Sequence, residues 1–204
     1  MTDHPLVFRD LPVSDIAIRS DGSGRTVIGY CAMFQPVSYE VTDSDGHYWE
    51  DIHARAFDRT LVEQHGRIGC YYNHARTLRG GDSERFSLPL GVVEEIRADG
   101  KGLLTAVRYS KTELADEVLT LIRDGSITGM SFSGKFIRSE RQKRRGRDGL
   151  DLITRHECAL REFGPTPSPA NHDAAIVGVR ADISNWRVSS HARRQEYLRL
   201  MRER

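Results

Sequence analysis

The chain has 204 residues, 38% hydrophobic and 29% charged, with a formal net charge of +1. That length and balance suit one soluble globular domain with an appendage, and they exclude a disordered or low-complexity chain. A charge so near zero supplies no whole-chain attraction to nucleic acid or membrane, so neither is expected as a partner except through a local patch.

Taken in chain order, residues 15–19 alternate polar and apolar, a Gly-containing turn follows at 21–24, and 26–33 resumes an apolar, β-branched run. These read as a hairpin. Residues 42–46 read as a polar loop, and 52–62 as an extended start followed by a short helix. Residues 68–73 form a short apolar run ending at His74, consistent with a buried strand, and 76–87 are a charged loop. Two further strands, 88–96 and 102–109, are joined through an Asp-Gly turn at Asp99 and Gly100.

The clearest helix spans 112–124, with Ser110 and Glu113 at capping-box spacing and Gly125 placed to stop it. Residues 127–137 read as a strand carrying Gly129, Ser131, Ser133 and Gly134. Residues 138–147 are a basic loop, and 150–163 return as a strand. Pro165, Pro167 and Pro169 argue against regular sheet pairing beyond it. The segment from about 185 to 204 reads as a basic helix or tail. The pattern predicts an α+β domain with many strands around one or two helices and a barrel-like sheet.

No apolar run approaches the roughly 20 residues that span a bilayer, and residues 1–10 lack the pattern of a secretory leader. Cys31, Cys70 and Cys158 are odd in number and widely spaced. They suit reduced thiols in a cytosolic compartment better than a disulfide framework.

A serine becomes a nucleophile when a base lies within hydrogen-bond reach and a third group orients that base. Ser131 lies among small and apolar neighbours directly after a capped helix, His74 ends a short strand beside Asn73, and Glu157 lies in the strand after the basic loop, flanked by His156 and Cys158. Each alone is an ordinary residue of its element. A metal site from His65, Cys70, His74, His156 and Cys158 lacks the tight spacing of structural zinc. A Cys70 nucleophile has no neighbour in sequence that would lower its pKa.

Together the segments resemble the prohead maturation proteases of tailed phages, related in fold to the herpesvirus assembly proteases. The resemblance is carried by Gly29-Tyr30-Cys31-Ala32-Met33-Phe34, by the run from Ala54 to Leu61, by Tyr72-Asn73-His74 and Leu90-Gly91-Val92, and by Gly129-Met130-Ser131-Phe132 after the helix. Glu157 at the acid position and Pro169-Ala170-Asn171 complete it. It covers about residues 12–180, which divides the chain into a protease domain over 1–180 and a basic tail over 181–204.

The resemblance implies a serine endopeptidase with Ser131 as nucleophile, His74 as general base and Glu157 as the orienting acid. His156 competes with Glu157, because the herpesvirus relatives use a histidine as third member. It also implies a closed, mostly antiparallel, herpesvirus-protease-like barrel with surrounding helices, no cofactor or metal, scaffold and/or major capsid proteins as substrates, a homodimer by analogy, and action inside assembling proheads in the host cytoplasm, and it leaves self-cleavage open. A protease-like assembly module that binds scaffold or capsid without cutting is the competing function. The chain departs from the family pattern at Arg55, at 163–168, and at Ser133, where glycine is usual and a second hydroxyl now stands two residues from the first. Backbone amides near Gly164 are the expected oxyanion donors.

Overall fold

Strand formation follows the β-branched and aromatic runs closely. The computed structural model describes residues 7–11, 17–18, 24–64 and 67–167. Its elements, in order, are β1 (Val7–Leu11), β2 (Ala17–Ile18), β3 (Thr26–Met33), β4 (Ser38–Asp43), β5 (Gly46–Ile52), helix α1 (Asp58–Glu63), β6 (Gly69–Cys70), β7 (Gly91–Ala98), β8 (Gly102–Tyr109), helix α2 (Glu113–Arg123), β9 (Gly129–Gln142) and β10 (Asp151–Thr166). The C-terminal basic helix, Pro169-Ala170-Asn171 and the boundary at 180 lie outside the described residues.

Two sheets result. One has the order β1-β9-β10-β5-β4, with β6 also paired to β10; the other has the order β2-β3-β8-β7. The barrel expected from the sequence does not form. Closure requires a hydrogen-bonded ladder between the two edge strands of a sheet, and among the described residues no ladder joins β1 to β4 or β2 to β7. The sheets are open and share a core between them instead. Phe57 stacks with Phe34 at 6.2 Å and meets Phe132 edge-on at 5.5 Å, joining α1, the end of β3 and β9.

The predicted hairpins are present. β2 pairs with β3, and β7 with β8, all antiparallel. The polar loop at 42–46 is tighter than expected, since β4 and β5 pair through to Asp43 and Gly46. Helix α2 is capped by Thr112, whose side chain accepts from the Ala115 amide, rather than by Ser110. Its acidic first turn and Arg123 in the last turn complement the helix dipole. Gly125, with φ of 80°, ends it in the left-handed conformation that glycine adopts without cost.

The long hairpin of β9 and β10 organises the molecule. The first six residues of β9 are buried and a run near its end is exposed, so one strand carries both the core and the start of the basic segment. That segment is thus strand as far as Gln142 and loop only beyond it. β10 continues to Thr166 and pairs Pro165 with Met130. Pro165 therefore does not stop pairing where the sequence suggested, because it lies past β6, where β10 has no second neighbour needing its N–H.

At the far end of the hairpin, Arg155 is buried and paired to Glu50 at 2.6 Å. Its guanidinium also donates to Tyr48 and Ser139 and lies 4.2 Å from the centre of the Phe136 ring. A buried ion pair of this kind is tolerated because its remaining donors are satisfied.

Candidate functional site

Ser131 and Ser133 lie on the buried half of β9 and, two residues apart, share one face of the sheet. Opposite them on β10 stand Gly164 and Glu162, in register with Ser131 and Ser133 respectively. Directly opposed residues in an antiparallel pair project to the same side, so the Glu162 carboxyl and the two hydroxyls form one polar strip on the sheet.

Gly164 leaves space where a side chain would oppose Ser131. A Cβ there would meet the Tyr71 carbonyl oxygen at 1.7 Å. The backbone of Tyr71 therefore lies directly on the sheet, held by its amide on the Phe163 carbonyl at 2.9 Å. From there the chain enters a tight turn over Tyr72–Ala75. The expected strand thus ends at Cys70.

Within the turn Asn73, His74 and Ala75 all have positive φ, at 47°, 58° and 59°. Left-handed backbone costs roughly 1–2 kcal/mol per non-glycine residue, so the surroundings must hold it. The Asn73 amide donates to the Arg76 carbonyl at 2.7 Å and accepts from Thr166 at 3.2 Å, and the Ser83 amide donates to the Ala75 carbonyl at 3.0 Å. Tyr72 packs edge-on against Phe86 at 4.8 Å.

This turn delivers the imidazole of His74 over the polar strip. Its Nε2 lies 2.5 Å from Ser131 Oγ and its Nδ1 lies 2.7 Å from Glu162 Oε1. An ionised carboxylate only accepts, so Nδ1 carries the proton and Nε2 is left as acceptor for the Ser131 hydroxyl. Ser133 Oγ also donates to Glu162 Oε1. Ser131 is 0% exposed, and the His74 and Glu162 side chains are 7% and 11% exposed. Water screens these contacts weakly, which strengthens them.

Glu157 is not beside His74. It points to Arg59, accepting from Nη1 at 3.4 Å. Five residues along a strand is roughly 15 Å, beyond what a glutamate side chain spans. The carboxylate that reaches His74 is Glu162. The alternation that would have ranked these two acids is broken by register shifts on either side of Glu157 and again between Leu160 and Glu162. What the sequence did offer was a carboxylate set between Leu160 and Phe163, both of them core residues. His156 is no substitute, since it packs against His53 at 5.4 Å and reaches Glu140 at 3.4 Å.

The thiols are unsuited to nucleophilic work. Burial pushes the Cys70 thiol well up, with the Glu162 charge adding to it, and burial does the same to Cys31. Both stay protonated at neutral pH, whereas a reactive cysteine needs the opposite shift. Gly164 has a packing role, beneath Tyr71 and opposite Ser131.

A serine, a histidine and a buried carboxylate aligned in this way on two strands and a braced turn have the form of a serine-protease site. Residues 14–188 match the family model of the caudovirus prohead serine protease, and the chain belongs to that family. Among solved structures, the bacteriophage T4 capsid assembly protease is similar with a TM-score of 0.48 at 11% identity, over 82% of this chain and 100% of that one. No curated protein matches the chain. Among the described residues, no helix is long and apolar enough to cross a membrane.

Proposed function

We propose that the chain is an endopeptidase whose nucleophile is Ser131, with His74 as general base and Glu162 as the acid that orients it. The observation that carries this reading is the pair of contacts on one imidazole, Ser131 at 2.5 Å on one nitrogen and Glu162 at 2.7 Å on the other. His74 takes the Ser131 proton as Oγ attacks a peptide carbonyl, then returns it to the leaving amine. Water, activated by the same imidazole, then releases the acyl-enzyme. Glu162 keeps the proton on Nδ1 and stabilises the imidazolium that forms in each half of the reaction.

Family membership supports scaffold and major capsid proteins as substrates, with self-cleavage, inside assembling proheads in the host cytoplasm. The test is mass spectrometry of scaffold and capsid termini after co-expression with the wild-type chain or with Ser131→Ala. New termini that disappear in the variant are expected. Termini unchanged by Ser131→Ala would overturn the assignment.

One observation favours a second reading. Ser131 is wholly buried, which suits a module that binds scaffold or capsid protein without cutting it. Absence of any new terminus with the wild-type chain would select that reading.

A further inference from the structure

Ser133 is not needed for the three-membered array, and it departs from the glycine usual at this position in the family that the sequence resembles. It is nonetheless 1% exposed and spends its hydroxyl on the very oxygen that His74 uses, Glu162 Oε1. The other carboxylate oxygen, Oε2, is buried and has no hydrogen-bond partner. Glu162 is therefore held from one side only, through a single oxygen with two donors.

A carboxylate with one buried, unpartnered oxygen is free to rotate about its terminal bond, which is broad and soft. Partial rotation would carry Oε1 out of line with the imidazole without bringing Oε2 into its place. The Ser133 hydroxyl opposes this, because it is fixed on rigid β9 backbone directly opposite Glu162 in the ladder. Among the described residues, the titratable groups near Glu162 include Cys31 on β3, Cys70 on β6 and, against Cys70, Tyr109 on β8. All three are raised by burial and stay neutral through the range in which a histidine titrates.

We propose that Ser133 is a positioning residue, a fourth member of the Ser131–His74–Glu162 array that fixes Glu162 Oε1 toward His74. The inference rests on the protease reading for its catalytic meaning. Its geometry can be tested without turnover.

The experiment is an NMR titration of the His74 imidazole in the full chain, comparing wild type, Ser133→Ala and Ser133→Thr, with kcat and KM measured alongside. Loss of the hydroxyl lets Oε1 swing out of line with Nδ1 and weakens the contact that stabilises the imidazolium, so Ser133→Ala is expected to lower the His74 midpoint by roughly half a pH unit or more. Ser133→Thr is expected to restore it. For cleavage, kcat should fall on the order of ten-fold with KM unchanged, since Ser133 acts through Glu162. A packing role alone would lower stability and leave the midpoint in place.

An unmoved midpoint in a folded Ser133→Ala chain overturns the proposal, as does a failure of threonine to restore it. If the alanine variant does not fold, Ser133→Cys keeps the volume with a far weaker donor, and a wild-type midpoint in that variant overturns the proposal equally. Absence of cleavage by the wild-type chain would count against the protease reading and leave the titration result standing.

Discussion

His74 and Glu162 meet at 2.7 Å across 88 residues of chain, and this contact makes the site more than a serine beside a histidine. It requires three things at once: a left-handed turn at His74, a glycine at 164 beneath that turn, and a bulge that sets Glu162 opposite Ser133. Glu162→Gln should keep the fold and lower kcat/KM on the order of 10³- to 10⁴-fold, since an amide presents the wrong partner to Nδ1–H. Glu157→Gln, at the carboxylate paired with Arg59, should cleave at close to the wild-type rate. Parallel kinetics of the two variants check this, and a reversed order would return the orienting role to Glu157.

Gly164→Ala should be among the most damaging single-methyl additions. The new Cβ meets backbone, the Tyr71 carbonyl at 1.7 Å, and backbone cannot move aside as a flexible side chain can. A loss of about 3 kcal/mol or more is expected, together with loss of cleavage, because the displaced segment carries His74. Chemical denaturation of the variant reads the first effect directly.

The far end of the β9–β10 hairpin depends on the buried Glu50–Arg155 pair. Glu50→Ala leaves a buried guanidinium without its counter-charge and should cost about 3–5 kcal/mol. The proposed active site lies at the opposite end of the same hairpin, so any folded fraction should retain a normal KM. Urea unfolding at matched temperature checks the stability term.

How much of this was legible beforehand depended on whether the information was local. β2, β3, β7, β8 and α2 were readable because alternation, turn residues and caps are properties of short windows. Ser131 and His74 were readable as candidates from the motifs around them. Glu162 was not, since its face depends on bulges in β10 that alternation cannot register, and Glu157 was assigned through the family resemblance rather than through the face it occupies. The cap at α2 belongs to Thr112, next to the helix start, and the capping-box spacing of Ser110 was coincidental. The closed barrel failed for a related reason. Closure depends on whether edge strands meet, a relationship between distant segments that strand patterns do not encode.

The buried thiols give a pH dependence with a definite sign. Cys31 and Cys70 are raised in the folded chain above their ordinary value of 9.0, so below pH 9 both states are protonated and the thiols contribute no slope. Above it the unfolded chain releases protons that the folded chain keeps, and stability falls by about 1.4 kcal/mol per pH unit for each thiol. Denaturation midpoints from pH 7 to 10.5 should be flat at first and then decline. Cys31→Ala with Cys70→Ala should flatten the decline. A decline of undiminished slope in the double variant would assign it to other groups.

The most direct test of the account is covalent labelling of the full chain with a serine-directed organophosphonate, located by peptide mass spectrometry. A single adduct on Ser131, absent from His74→Ala and absent at Ser133 in the wild type, is the expected result. An adduct on Ser133, or labelling of Ser131 that persists when His74 is removed, would contradict the assignment of Ser131 as the nucleophile activated by His74.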